Sequence, residues 1–176
     1  MKTFEYKIEQ DDSAGNPRDE FDNISTFYCK KNNRYTTGGK NDFEFSYAED
    51  LEEKIKDFRK EKAVIVEFHN HNVGTCYAVV ERDQLQDEYI KYGQTMRQAL
   101  YHARQCAKGE IATYLAWADG EVYGYIVEDN EGNHVDSCWG FYGYEYCKEE
   151  AESVVRCHEE QEEKEDKEII SRLQFA

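Results

Sequence analysis

GEVYGYIVEDNEGNHVDSCWGFYGYEYCKEEA, residues 120–151, decides the fold. Two runs rich in β-branched and aromatic residues flank Asn130, Glu131, Gly132 and Asn133, a four-residue turn, so the segment predicts a β-hairpin. From Tyr146 the pattern changes. Cys147, Ala151, Val154 and Val155 recur at helical spacing among acidic residues, which predicts a helix with one inward face. Gly140 and Gly143 suit a bulge or a tight exit from the sheet. Strict alternation puts Trp139 and Phe141 on one face of the second strand, Cys138 and Tyr142 on the other.

Working outward, TFEYKIE (3–9) alternates as a strand does, and DDSAGNPRDE (11–20), which holds the only proline, reads as a loop. ISTFYCKK (24–31) has strand composition and is expected to pair with the first strand. NNRYTTGGKND (32–42) is rich in turn formers. Ser46, with Glu49 in capping-box position, opens a helix over about 46–60 on Leu51, Ile55 and Phe58. AVIVEF (63–68) and TCYAVVE (75–81) are two further strands joined through HNHNVG, and a short helical turn opens near Asp83 or Gln84. Met96, Ala99, Leu100, Ala103, Cys106, Ala107, Ile111, Tyr114 and Leu115 keep a period near 3.6 and predict a helix over about 94–117. A third helix is expected over about 145–172, with 158–176 an extended acidic portion of it. The expectation is therefore a single α+β domain over 1–176: an antiparallel sheet with a C-terminal hairpin, packed by two or three helices.

The chain has 176 residues, 39% of them hydrophobic, enough for one sizeable core. No apolar run approaches the roughly 18 to 20 residues that span a bilayer. MKTFEYKIEQDD places acidic residues where a signal peptide carries its apolar stretch, so a soluble intracellular protein is expected, with its six cysteines (29, 76, 106, 138, 147 and 157) as thiols. The formal net charge is −16, which repels nucleic acid, because that affinity comes chiefly from Lys and Arg neutralising phosphates. The same charge fits a basic partner. Between Glu145 and Glu168 there are eleven acidic and four basic side chains, a net of −7.

His69 and His71, two apart in FHNHNVG, face the same side of a strand and are weak candidates for a metal site, although the other ligands are missing. A polar connection after a buried strand, with the histidines bonded to backbone groups, is the reading that the residues favour. Asp136, Ser137 and Cys138 with His134 and His158 have the types needed for a nucleophile and its base, but nothing in their spacing singles them out, and Cys138 reads as a small apolar side chain. No catalytic residue and no cofactor is assigned. Trp139, Tyr142 and Tyr144 are the aromatic residues best suited to anchor an interface. The carboxylates of the last helix, chiefly Glu149, Glu150, Glu152, Glu159, Glu160, Glu162 and Glu163, are suited to a Lys/Arg-lined groove. The terminal IISRLQF restores apolar character and suggests docking on a partner or on a second copy.

Three stretches, NPRDEFDNISTFYCKKNNRYTTGGK (16–40), AVIVEFHNHNVGT (63–75) and residues 120–151, together resemble a family of small accessory proteins of bacteriophages and related mobile elements. That family's pattern runs NPRE, DN-hydrophobic-GT, RY-x-x-GD, then YGY-IED-DG-DSCWGFYG-CKEEA. Ser25 stands where glycine is usual, and Lys30 and Lys31 replace a Phe-His pair. The resemblance implies an origin in a phage or mobile element and carries over no catalytic residue. With the charge, it leads to an expected function: stoichiometric inhibition of a host defence enzyme that targets nucleic acid, of anti-CRISPR or anti-restriction type. The protein would act as a nucleic-acid mimic in the bacterial cytoplasm. The alternatives are a metal-dependent enzyme built on His69 and His71, or a structural phage module that self-associates.

Overall fold

The computed structural model describes residues 2–31 and 36–174. In chain order its elements are β1 (Phe4–Gln10), α1 (Pro17–Glu20), β2 (Thr26–Lys30), β3 (Phe43–Phe45), α2 (Ala48–Lys60), β4 (Val64–Asn70) and β5 (Gly74–Val80). They continue with α3 (Arg82–Glu88), a 3₁₀ turn at Ile90–Tyr92, α4 (Met96–Ala118), β6 (Val122–Asp129), β7 (His134–Tyr142) and α5 (Tyr144–Gln174). The protein is α+β, and its strands divide between two sheets. Two compact units result: residues 15–115, and residues 1–14 with 116–176.

In residues 15–115 a mixed sheet runs in the order β3-β2-β5-β4, with β3 parallel to β2 and the other pairs antiparallel. β4 and β5, the two strands expected on either side of HNHNVG, form an antiparallel hairpin. Its turn is held by buried Asn70, whose Oδ1 accepts from the backbone N–H groups of Asn72 (2.8 Å) and Val73 (3.0 Å). α2 lays Leu51, Ile55 and Phe58 against Tyr28 and Val79. It begins after Tyr47, with no side-chain cap, so Ser46 does not cap it. α3 opens instead on Glu81 and Gln84, whose Oε1 accepts from the Glu81 N–H at 2.7 Å.

Along α4, Ala99, Ala103, Ala107, Ile111 and Tyr114 are buried, while Met96, Leu100 and Cys106 are exposed. The buried stripe is narrower than the apolar pattern implied, because the small alanines at intervals of four make the contact face and the larger residues flank it. Tyr114 meets Phe27 edge-on at 5.4 Å, and Phe27 packs on Phe68 at 4.8 Å.

Two expectations are corrected here. β1 does not pair with β2: β1 pairs with β6, and β2 with β5. Composition identifies a strand but carries no address for its partner. The cysteines are also not all thiols, because register sets Cys29 opposite Cys76, Cα to Cα 4.4 Å, and the two are joined by a disulfide. Their separation of 47 residues hid that proximity in the sequence.

In the second unit an antiparallel sheet runs β1-β6-β7. α5 covers one face of it, with Cys147 and Ala151 against Tyr125 and Val127, and Phe4, Tyr6, Ile8, Tyr123 and Phe141 around them. The β6-β7 hairpin turns through residues 130–133 as the sequence predicts. A register shift beside Gly124 and the positive φ of Gly140 (84°) mark a bulge in β7. The bulge changes the phase of the strand: Cys138 pairs with Tyr125, on the helix side, and Tyr142 pairs with Val122, on the other. Trp139 therefore parts from Phe141, contrary to strict alternation. Its ring lies where a side chain at position 124 would stand, which is why that residue is glycine.

Two outcomes follow from this packing. Reducing the Cys29–Cys76 bond should lower the unfolding free energy by about 2–4 kcal/mol, read from urea midpoints at constant slope. A Cys29→Ala/Cys76→Ala variant should not respond to reductant, and equal midpoints for the oxidised and reduced wild type would refute the disulfide's role. Burial, reinforced by the Glu81 carboxylate, pushes the Tyr28 phenol up to about 12. An unfolded tyrosine ionises near 10, so Tyr28's stabilising contribution is complete below about pH 10 and is lost as pH rises toward 12. Burial also raises the Tyr89 phenol, so absorbance titration at high pH should show a late phase of more than one tyrosine, and Tyr28→Phe should remove one tyrosine's amplitude from it.

Candidate functional site

α5 runs unbroken for 31 residues. Tyr144 and the buried pair Cys147 and Ala151 fasten its first turns to the sheet, and the acidic residues occupy what remains. At 100° per residue, Glu149, Glu152, Glu159, Glu160 and Glu163 fall on the side opposite Cys147 and Ala151, and all five are exposed. Glu150 and Glu162 lie off this row and are half-buried. Arg156 and Lys167 share the outer side, and Lys167 pairs with Glu163 at 3.1 Å. At the flank Glu152 accepts a hydrogen bond from the Tyr6 hydroxyl (3.1 Å) and lies 3.9 Å from Lys148. Burial first, and then that carboxylate, raise the Tyr6 phenol above its ordinary range. Farther along, Ile169 and Ile170 are each more than half exposed. The side chains of 172–176, and so most of the terminal apolar segment, lie outside the described residues.

The aromatic candidates do not join the glutamate row. Trp139 and Tyr142 lie on the sheet face turned away from α5, and Tyr144 stands edge-on to Tyr123 at 5.5 Å on the helix side. Trp139 is 45% and Tyr144 48% exposed, so each is part wall and part surface.

His69 is the penultimate residue of β4 and His71 sits in the turn, both exposed, with ring centroids 6.2 Å apart. Among the described residues no group of three or more His, Cys, Asp or Glu side chains gathers to hold a metal ion. Cys138 is exposed and does not pack as a small core residue. Asp136 and His158 do meet, at 3.7 Å across the sheet and α5, with the His158 ring 5.4 Å from Phe4.

The densest polar structure is one that sequence reasoning missed. Arg18, in α1, is buried, with its guanidinium 3.7 Å above the Phe27 ring. Its Nε and Nη2 donate to the two oxygens of Asp42 (3.3 and 2.9 Å), Nη1 donates to Glu110 (3.2 Å) and Nη2 also to the Ser25 carbonyl (2.7 Å). Glu110 accepts in addition from the Ile24 N–H (2.7 Å) and from the Ser25 N–H and hydroxyl. Asp42 accepts from the Phe27 N–H (3.0 Å). Asn16 caps α1 by accepting from the Arg18 N–H (3.0 Å) and holds the Thr37 carbonyl through Nδ2 (2.9 Å). Gly39 lets the loop pass close over Arg18 and Asp42, where a β-carbon would collide with both. Asn16-Pro17-Arg18 is thus the start of a buried ion cluster. The signal available in the sequence was an arginine placed directly after a helix-opening Asn-Pro in an otherwise acidic loop.

The chain matches no family model, no curated protein and no solved structure.

Truncating Arg18 leaves two carboxylates buried without their cation. Arg18→Met should cost about 3–5 kcal/mol in urea unfolding, and adding Asp42→Asn should recover part of that loss. A cost below about 1 kcal/mol would show that the cluster is not fully desolvated.

Proposed function

We propose that this protein is a stoichiometric inhibitor, encoded by a phage or mobile element. On this reading it acts in the bacterial cytoplasm by occupying the basic nucleic-acid groove of a host defence enzyme. The observation that carries the reading is the row of exposed carboxylates on α5: Glu149, Glu152, Glu159, Glu160 and Glu163 on one side of a continuous helix. Held on a rigid element with a regular rise, such a row presents charge at intervals as a nucleic-acid backbone does, and it needs no bound ion to do so. The net charge of −16 supports the same direction of attraction over longer range. The sequence resemblance supplies the phage setting. The glutamate row alone forms the docking face, because Trp139 and Tyr142 turn the other way. No helix among the described residues is long and apolar enough to cross a membrane.

The test reverses Glu149, Glu152, Glu159, Glu160 and Glu163 to lysine and compares inhibition of RNA-guided and restriction nucleases with that of a control. The control carries the same five-charge reversal at exposed Glu52, Glu53, Glu61, Glu88 and Glu131. The α5 variant should lose about tenfold or more in inhibition, and wild-type inhibition should weaken as salt rises. Equal loss in both variants would reduce the effect to net charge, and unchanged inhibition in the α5 variant would reject the docking face.

A further inference from the structure

Above the Arg18 cluster lies a cavity of about 400 Å³, within residues 15–115 and within the size range of small-molecule sites. Arg18 and Ser25 form its floor, and Asn23, Gln84 and Thr26 its sides. Phe21, Phe43, Lys40 and Asn41 complete it. Nearly all of these residues come from the first of the three stretches that carry the family resemblance, or directly follow it, and the glutamate row on α5 makes no use of them.

Three properties of the cavity define a ligand. The first is stacking. Phe43 lies parallel to Tyr28, with centroids 5.2 Å apart and planes at 9°, so one face of its ring is covered; the residue is nevertheless 55% exposed, and Phe21 is 51% exposed. An uncovered phenyl face beside a polar cavity is a platform for a flat ring, which would extend the Tyr28–Phe43 stack by one member.

The second is hydrogen bonding. The Asn23 amide N–H₂ is committed to the Pro17 and Phe21 carbonyls (2.9 and 2.8 Å), which leaves its oxygen as an acceptor. Gln84 is committed at both ends, to Glu81 and to the Ile24 carbonyl, and is therefore a rigid wall. Asn41 adds an amide with both a donor and an acceptor, and Lys40 adds a donor. A ring that carries its own donors and acceptors along one edge answers this set.

The third is charge. The guanidinium in the floor is already neutralised by Asp42 and Glu110, so that the trio carries a formal charge of −1, which Lys40 balances. A site near neutrality on a protein of net charge −16 does not favour a phosphate.

We propose that this cavity is a binding site for a neutral, planar, hydrogen-bonding heterocycle of the nucleoside class, stacked on the outer face of Phe43. The site is independent of the docking face on α5, and either assignment stands if the other falls.

The experiment titrates adenosine, guanosine, cytidine and uridine into the full-length protein, followed by amide chemical shifts and by calorimetry. At least one nucleoside should saturate with shifts at residues 18–26 and 38–43, and its monophosphate should bind more weakly, by a margin that narrows as salt is added. Phe43→Leu keeps the apolar bulk and removes the flat face; it should weaken binding by about tenfold while leaving the thermal melt in place. Asn41→Asp, at an exposed position, should alter the preference among the four bases without loss of fold. The proposal is overturned if no nucleoside saturates at about 5 mM, a level that detects even millimolar affinity. It is equally overturned if Phe43→Leu, still folded, binds as well as wild type, or if a short single strand binds more tightly than any free nucleoside.

Discussion

A guanidinium taken out of water must be paired almost completely, and the pairing of Arg18 dictates much of the unit formed by residues 15–115. Its partners come from three places: Asp42 from the loop before β3, Glu110 from the middle of α4, and the Ser25 carbonyl from the entry to β2. Both carboxylates are occupied elsewhere too, with Asp42 holding the Phe27 N–H and Glu110 the N–H groups of Ile24 and Ser25. The arginine thus ties a helix, a strand and a loop into one arrangement in which the backbone donors at the start of β2 are satisfied by carboxylates where a neighbouring strand is lacking. The Phe27 ring beneath the guanidinium joins this polar cluster to the aromatic core through Phe68 and Tyr114.

The same cluster gives the cavity above it a rigid floor. Gln84 and Asn23 are held by backbone groups, and Gly39 allows the loop to close over the ion pair, so the polar walls are set before any ligand arrives. Preorganisation of that kind is what distinguishes a built cavity from a gap between surface side chains.

In the other unit a single residue has the corresponding influence. The left-handed Gly140 allows the bulge that puts Trp139 over Gly124 and leaves Phe141 to pack toward α5. Without that bulge, alternation would direct the tryptophan at the helix. With it, aromatic surface and acidic helix belong to opposite sides of one three-stranded sheet, and an interface built on the glutamates excludes Trp139 and Tyr142.

What the sequence determined by itself was local. The β6-β7 hairpin was legible from a turn of Asn, Glu, Gly and Asn between two strand-like runs, and α2, α4 and α5 from apolar periodicity, because those signals lie within one element and its neighbours. Of the seven glutamates the sequence singled out, Glu149, Glu152, Glu159, Glu160 and Glu163 lie opposite Cys147 and Ala151, while Glu150 and Glu162 lie off that row and are half-buried. Tertiary structure alone decided which strands pair, that Cys29 stands opposite Cys76, which of the apolar residues of α4 are buried, and that Arg18 meets carboxylates 24 and 92 positions away. Those outcomes depend on register and on the meeting of distant segments, and the free energy that selects them, desolvation of paired charges and close packing of small and aromatic side chains, arises only once the segments are together.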